Sequence, residues 1–262
     1  MTGTGPLVRL EIGGGVATVT LDAPASRNAL SSQLLAGLRE ALVSARDDGA
    51  VRVIVLTGAG PAFCAGADLR ERHEAGAPAL PAALPEILTL IWDSPEPVIA
   101  RVNGAARAGG IGLIAACDIA VAAEEATFGF SEVRIGVIPA VISVMCLRRM
   151  EPRAAHEYFL TGETFGAARA AEIGLLNRAV PAAELDATVE RYACLLLRGA
   201  PGALAAAKDL TRTVPVLPVG EGFRQMTELS ARWFGSAEAR EGIAAFREKR
   251  DPAWVPASRR NA

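Results

Sequence analysis

Two apolar segments, each followed by a run of very small residues, constrain the fold of this 262-residue chain more than any other feature. The first, VRVIVLTG, ends at Gly58 and leads into a loop rich in glycine and alanine. The second, PVIARVNG, ends at Gly104 and leads into a similar loop and then a helix. Strands with β-branched residues at successive positions are typical of parallel sheets that are buried on both faces. The repeated order of strand, glycine loop and helix therefore predicts an α/β protein.

The flanking segments indicate how the chain is divided. VRLEI and VATVTLD, separated by three glycines, predict a β-hairpin, and Ser31 or Ser32 can cap a helix whose leucines recur at helical spacing. Further strands are expected at DIAVAA, ATFGF and LLNRAV. From about Glu184 the pattern changes to helices, around residues 186–198, 202–212, 221–234 and 237–249. We expect an α/β core domain over residues 1–195 and a C-terminal helical region over residues 196–262.

Charge and hydropathy exclude several classes of partner. The formal net charge is −2, and no block of Lys and Arg provides the positive field that binding to nucleic acid needs. The most apolar stretches, near residues 111–117 and 136–147, are too short to cross a bilayer, and the N-terminal residues lack the pattern of a secretion signal. We expect no nucleic-acid or membrane partner and a cytoplasmic location.

The chain offers little for metal or disulfide chemistry. The only histidines are His73 and His156, and neither has a cluster of carboxylates around it, so we expect no metal site. The four cysteines are widely separated and form no C-x-x-C pair, as expected of reduced core thiols.

Two small-residue segments can present main-chain groups to a ligand. In TGAGPAFCAGADL, residues 57–69, a buried strand leads into a loop small enough for a ligand to touch the backbone. In the second segment, Gly109 and Gly110 begin an apolar helix whose first N–H groups point outward. Together the two segments predict a pair of convergent N–H donors.

A dinucleotide-binding loop is an alternative interpretation of the second segment. The spacing Gly110-x-Gly112-x-x-Ala115, with Glu132 about twenty residues later, satisfies a loose form of that fingerprint. The first glycine of such a site should follow its strand directly, whereas this strand ends near Asn103 and several residues intervene.

Three motifs together resemble one known family. AFCAGADL, then NG with a Gly-Gly helix start and CDIAVA, then FGFSEVRIGVIPA occur in the order and spacing of the enoyl-CoA hydratase/isomerase (crotonase) superfamily, over nearly the whole chain. The resemblance implies a crotonase-like (ClpP/crotonase) fold of stacked ββα units with a C-terminal helical trimerisation region. It also implies a homotrimer or homohexamer, an acyl-CoA thioester substrate, and no separate cofactor, because coenzyme A arrives as part of the substrate.

The resemblance also assigns residues to a site. It implies that the N–H groups of Ala67 and Gly109 hold the thioester oxygen, while Asp68 orients the loop rather than reacts. The residues that it places at the coenzyme A moiety are Ala25, Ser26, Arg27, Ala65, Asp68, Leu69, Phe246 and Lys249. For the last two, a solvated helix end is the competing interpretation.

The acid/base residues depart from the family pattern. Hydratases of the family use two glutamates, and the resemblance maps the second to Glu132 and the first to Gly112, which has no side chain. A lone glutamate can still move a proton next to a thioester if apolar neighbours, here Phe128 and Phe130, raise its pKa. The competing interpretation is that Glu132 only caps a helix or forms an ion pair, for example with Arg134.

The function expected from these residues is hydration of a short or branched 2-enoyl-CoA by Glu132 alone. SEVRIGVIPAVIS followed by YFLTGETF resembles hydratases similar to methylglutaconyl-CoA hydratase. The alternatives are a Δ3,Δ2-enoyl-CoA isomerase and a catalytically weak acyl-CoA-binding homologue. Gly112→Glu is expected to raise hydratase activity if the backbone leaves room for a side chain. The sequence leaves open whether Arg107 or Arg134 pairs with a distal carboxylate of the substrate.

Overall fold

The computed structural model of the protein describes residues 5–72 and 83–259. Its strands are β1 (Val8–Gly13), β2 (Val16–Leu21), β3 (Val53–Gly58), β4 (Ala62–Cys64), β5 (Val98–Val102), β6 (Ala105–Arg107), β7 (Ile119–Ala123), β8 (Thr127–Gly129), β9 (Thr164–Gly166) and β10 (Arg178–Val180). Its helices are α1 (Ser32–Asp47), α2 (Ala83–Trp92), α3 (Gly109–Ala116), α4 (Ala140–Cys146), α5 (Pro152–Thr161), α6 (Ala167–Glu172), α7 (Leu185–Leu197), α8 (Pro201–Thr213), α9 (Val219–Phe234) and α10 (Ala237–Glu248).

The larger sheet has six strands in the order β1, β2, β3, β5, β7, β10. The pair β1 and β2 is the predicted antiparallel hairpin, and all other neighbours in this sheet are parallel. Every residue of β3 is buried, since α1, α2 and α3 pack into the core on one face and α7 covers the other. The α/β prediction is confirmed, and Ser31 is the residue that caps α1.

A second, smaller sheet contains β4, β6, β8 and β9 in that order. Strands β4, β6 and β8 run parallel, and β9 pairs antiparallel with β8. Each strand of the series β3, β5 and β7 is followed by one of the series β4, β6 and β8, which produces the stacked units expected from the resemblance. Strands β4, β6 and β9 were not predicted, because three residues are too few for a pattern of alternation to be recognised.

The parallel arrangement of the small sheet determines where its loops lie. Parallel strands have their carboxyl ends at the same edge of a sheet. Ala62 and Cys64 of β4 pair with Ala105 and Ala106 of β6, and β6 pairs in turn with β8. The segments that follow β4, β6 and β8 therefore emerge side by side at one edge.

Helices α7 to α10 form where the sequence predicted the C-terminal helices. Helix α7 packs on the larger sheet and spans the predicted boundary at residue 195, and the division into domains stays a prediction. Among the described helices, none combines the length and apolar composition that a membrane crossing requires. Large apolar side chains remain exposed on α9 and at the end of α10, namely those of Phe223, Phe234 and Phe246.

A buried cluster of charges fastens α8 to the core. Asp118, at the start of β7, accepts hydrogen bonds from Lys208 Nζ at 2.7 Å and from Arg212 Nη2 at 3.2 Å. The same carboxylate accepts the N–H of Val98 at 2.8 Å. The Lys208 side chain is only 6% exposed, and burial lowers its pKa despite the opposing effect of Asp118. Because little water reaches these charges, the two cations depend on the carboxylate for much of their stabilisation.

We expect Asp118→Ala to lower the free energy of unfolding by about 3–5 kcal/mol, because Lys208 and Arg212 lose their shared carboxylate and the N–H of Val98 loses its acceptor. Denaturant unfolding of the pure protein measures the change. Asp186→Ala is the matched control, because Asp186 also pairs with an arginine, Arg101, but its side chain is 81% exposed. A similar loss in both variants would contradict the role given to burial.

Candidate active site

A cavity of about 520 Å³ opens at the edge where the three loops of the small sheet emerge. Ala67, Gly109 and Glu132, which the sequence places in three separate segments, all line it, and Ala65 and Leu69 lie beside them. The other walls are almost entirely apolar and are formed by Leu30, Leu35, Leu84, Ala108, Ile135, Val137, Ile138, Pro139, Ala140, Val141 and Ile142. A concave apolar space with a few polar groups is the usual form of a small-molecule site.

The N–H of Ala67 is presented by a loop that pairs with the segment before α1. Leu30 N–H donates to the carbonyl of Gly66 at 2.7 Å, and the Asp68 N–H donates to the carbonyl of Leu30 at 3.4 Å. These two bonds use the groups on either side of Ala67, and within the described residues they leave its own N–H without an acceptor. Gly66 has φ +86°, and a Cβ there would lie 2.9 Å from the Ala108 side chain. Only glycine fits that conformation and spacing easily.

The N–H of Gly109 is the first of helix α3. The N–H groups of Ile111 and Gly112 donate to the carbonyl of Ala108, at 2.9 and 3.3 Å. The N–H of Gly109 comes too early in the helix to have an acceptor within it, and the helix dipole makes that end favourable for negative charge. The preceding residue, Ala108, has φ 47° and ψ −117°, a backbone conformation that residues other than glycine rarely adopt. This turn directly follows β6, which ends at Arg107. It allows the small-sheet strand to lead straight into a helix that starts at the cavity.

Glu132 lies on a short 3-10 helix, Ser131–Ile135, that follows β8. Phe130, directly before this helix, is fully buried and packs against Phe159 with ring centroids 4.3 Å apart. The position of the glutamate is thus fixed by core packing. Its Oε2 atom is buried and has no hydrogen-bond partner. Burial raises the pKa of this carboxyl, and only a bond from its own backbone N–H opposes the shift.

The interpretation that Glu132 pairs with Arg134 is wrong, because that arginine is directed elsewhere. Arg134 Nε donates to the carbonyl of Thr161 at 3.2 Å. Arg107, the other arginine considered for a distal carboxylate, donates to the carbonyl of Thr127 at 2.6 Å and to its hydroxyl at 2.9 Å. Neither arginine lines the cavity.

Gly112 lies on α3 but does not line the cavity, because Ile142 of α4 stands between them. A Cβ at position 112 would lie 2.5 Å from Ile142 Cγ2 and 3.0 Å from Ile142 Cβ. These distances are shorter than a carbon contact allows, so a side chain at Gly112 requires Ile142 to move. Gly112→Glu was expected to raise hydratase activity only if a side chain fits at this position, and the structure leaves no room for one. The place of a first carboxylate is taken by an apolar side chain.

The remaining residues predicted at coenzyme A lie in two places. Ala25 and Ser26 belong to a 3-10 helix beside the site, and the carbonyl of Arg27 accepts the N–H of Ala65 at 3.0 Å. Phe246 is 85% exposed near the end of α10, and Lys249 caps that helix. None of these five lines the cavity, and their contact with coenzyme A stays a prediction.

Asp68 is held by its neighbour. Its carboxylate accepts two bonds from the Arg70 guanidinium, at 3.0 and 2.7 Å, and Arg70 holds the pKa of this carboxyl below its ordinary value. A carboxylate engaged in this way is suited to fixing the loop, as the sequence predicted, rather than to accepting a proton.

A larger cavity, of about 880 Å³, lies among α8, α9 and α10, but few of its lining side chains could take part in a reaction. Its one carboxylate, Glu238, already accepts the N–H groups of Gly202 and Ala203. Within residues 5–72 and 83–259, no group of three metal-ligating side chains occurs. His156 is exposed on α5, and His73 falls outside the described residues.

Comparison with known proteins identifies the family. The family model described as enoyl-CoA hydratase/isomerase matches residues 11–256. The chain belongs to the enoyl-CoA hydratase/isomerase family. A carnitinyl-CoA dehydratase of Salmonella arizonae is 37% identical over 256 residues, which cover 94% of this chain and 97% of the relative.

Solved structures agree with that assignment. The enoyl-CoA hydratase of Mycobacterium smegmatis matches with a TM-score of 0.88 and 36% identity, covering 95% of this chain and 99% of that chain. An enoyl-CoA hydratase from Shewanella pealeana matches with a TM-score of 0.88 and 32% identity, covering 95% of this chain and 96% of that chain. The predicted membership of the crotonase superfamily and the predicted fold are confirmed. So is the prediction that the chain belongs to an enzyme family.

Two contributors to the site were missed by reasoning from sequence. Ala108 carries no signal, because alanine is not expected at positive φ. Ile142 belongs to an apolar segment that predicts burial but not a partner, and only the tertiary contact with Gly112 reveals its role.

We expect Gly112→Ala to lower the free energy of unfolding by about 1–3 kcal/mol, because its Cβ overlaps Ile142. Ile142→Ala in the same chain should remove most of that penalty, and a double-mutant cycle of denaturant unfolding measures the coupling. Gly220→Ala in α9 is the control, because nothing lies within 4 Å of its Cβ. That change should be neutral or stabilising. Additive effects of Gly112→Ala and Ile142→Ala would contradict the contact.

Proposed function

We propose that this chain adds water to a short or branched 2-enoyl-CoA, with Glu132 as the single acid/base residue and the N–H groups of Ala67 and Gly109 as the oxyanion hole. One observation carries the proposal. Glu132, whose buried carboxyl oxygen Oε2 has no hydrogen-bond partner, lines the same 520 Å³ cavity as Ala67 and Gly109. Coenzyme A belongs to the substrate in this reaction, and no other cofactor is required.

The reaction divides between the backbone and the carboxylate. The thioester oxygen accepts hydrogen bonds from Ala67 and Gly109, which draws electrons from the conjugated double bond. Glu132 removes a proton from water, the oxygen of that water bonds to C3, and the electron pair moves to the thioester oxygen as an enolate. Glu132 then returns the proton to C2. Donors that are already in place can each lower the barrier by about 2.7–4 kcal/mol.

The walls of the cavity favour an uncharged acyl group. Leu35, Leu84, Val137 and Val141 present methyl groups to the interior, and the raised pKa of Glu132 reports the same lack of water. The named sequence relatives and solved structures act on acyl-CoA thioesters according to their names, which supports the substrate class.

We expect Glu132→Gln to abolish hydration while binding of a saturated acyl-CoA is retained, because glutamine cannot accept the proton of water. Turnover is read from the loss of conjugated thioester absorbance, and binding is measured by calorimetry. Glu125→Gln, an exposed glutamate on the turn before β8, is the matched control and should keep full activity. Unchanged turnover in Glu132→Gln would remove Glu132 from the mechanism.

The raised pKa of Glu132 makes two predictions about pH. Because the base must be ionised, the ratio kcat/KM should fall on acidification around a pKa above that of an exposed glutamate. The folded pKa also exceeds the unfolded one, so the ionised carboxyl destabilises the fold at pH values above both. At neutral pH, Glu132→Gln should therefore match or exceed the melting temperature of the wild type. Any gain in melting temperature should vanish as the pH falls through the pKa of the folded carboxyl toward that of the unfolded one. A less stable variant at neutral pH would contradict the desolvation argument.

Isomerisation of a 3-enoyl-CoA is the second candidate, and the position of Ile142 favours it. With an apolar side chain over Gly112, the described lining has no second carboxylate beside Glu132, and Ser131 supplies its only other polar side chain for holding a water molecule. Glu132 alone can carry a proton from C2 to C4. We expect a 3-enoyl-CoA to be converted slowly or not at all, and a 2-enoyl-CoA to give 3-hydroxyacyl-CoA, as separated by mass spectrometry. Rapid conjugation of the 3-enoyl-CoA without hydroxy product would favour the isomerase, and binding without turnover would favour a weak acyl-CoA binder.

We further propose that copies of the chain associate as a trimer or hexamer in the cytoplasm. The exposed aromatic side chains of Phe223, Phe234 and Phe246 support association, because isolated soluble chains rarely leave so much apolar surface uncovered. The net charge of −2 is the support for the absence of a nucleic-acid partner.

A further inference from the structure

We infer that Asn28 is a positioning residue for the oxyanion hole, an inference that rests on the proposed function of Ala67. Asn28 is fully buried and is one of few polar residues in the described core. It lies between the hairpin and α1, in a segment that no step of the proposed reaction uses. Its amide group is placed where three parts of the chain meet.

The side chain of Asn28 has four hydrogen-bond partners, and the two hydrogens of its NH2 group are shared among three of them. Oδ1 accepts the N–H of Ala23 at 2.8 Å. Nδ2 donates to the carbonyl of Ala59 at 3.0 Å, of Ala62 at 2.9 Å and of Phe63 at 3.2 Å. Ala62 and Phe63 belong to β4, the strand that leads into the Ala67 loop. One amide therefore fixes the turn before α1, the end of the loop after β3, and β4 itself.

The backbone around Asn28 extends this network to the loop that carries Ala67. The carbonyl of Arg27 accepts the N–H of Ala65, and Leu30 binds the loop on both sides of Ala67. Arg27 and Asn28 have φ values of 53° and 57°, which asparagine tolerates better than most residues. The side chain of Asn28 holds this left-handed turn in place, and the turn holds the loop. The direction of the Ala67 N–H thus depends on a residue that does not touch substrate.

Asn28→Gly tests the side chain alone, because glycine accepts φ 57° without strain and the change removes only the hydrogen bonds of the amide group. We expect kcat to fall at least about ten-fold with little change in KM, since a misdirected donor loses transition-state stabilisation more than substrate binding. A change confined to KM, or an unchanged kcat, would overturn the inference.

A spectroscopic measurement separates positioning from general stability. The probe is 3-oxobutanoyl-CoA, whose enolate absorbs in the near ultraviolet and is favoured by donors at the thioester oxygen. For the bound probe, we expect Asn28→Gly to shift the equilibrium from enolate toward the keto form by at least about ten-fold. Asn177→Gly is the matched control, because the Asn177 amide oxygen accepts the N–H of Ala120 at 2.8 Å, a structural bond on the larger sheet. This control should lower the melting temperature without changing the enolate fraction.

The outcomes distinguish the inference from the proposed function. If the wild type forms bound enolate and Asn28→Gly forms as much, the inference is overturned while the oxyanion hole stands. If the wild type forms none, the oxyanion hole fails and the inference fails with it. Should Asn28→Gly not fold, Asn28→Ser, which keeps one donor, is measured in the same way. An enolate fraction for Asn28→Ser equal to that of the wild type would likewise overturn the inference.

Discussion

The parallel pairing of β4, β6 and β8 is the constraint on which the rest of the site depends. Each of these three-residue strands follows a strand of the larger sheet after two or three residues, and pairing places their carboxyl ends at one edge. Ala67, Gly109 and Glu132 follow these ends by two or three residues. Three groups that are far apart in sequence thus meet without any contact between their own side chains.

The energetic cost of this arrangement is concentrated at Glu132. An ionisable group with a buried oxygen and no partner opposes folding. The surrounding packing of Phe130 and Phe159 offsets that cost and keeps the carboxyl at the cavity instead of letting it turn to solvent. A similar strain in the backbone at Ala108 orients the first turn of α3. The two unfavourable features, a desolvated carboxyl and a strained backbone, therefore occur at or next to the residues that are proposed to act, Glu132 and Gly109.

The sequence predicted the parts of the fold that repeat or that carry strong local signals. The hairpin, α1 with its serine cap, the long buried strands and the C-terminal helices all form as expected. The short strands of the small sheet were missed because pairing between distant segments, rather than local pattern, stabilises them. For the site, the resemblance supplied five of the residues that line the cavity, namely Ala65, Ala67, Leu69, Gly109 and Glu132. The contact between Ile142 and Gly112 could not be predicted, because it joins two helices whose relative position depends on the whole core.

Because of the cluster around Asp118, the attachment of α8 responds to ionic strength differently from the ion pairs on α9. Lys208 and Arg212 meet Asp118 where water and counter-ions have little access, so dissolved salt screens this attachment weakly. The pair of Arg224 and Glu221 on α9 is largely exposed and is screened readily. Concentrated salt should thus leave α8 fastened to the core while it loosens the electrostatics of the outer helices, where neighbouring copies are proposed to meet.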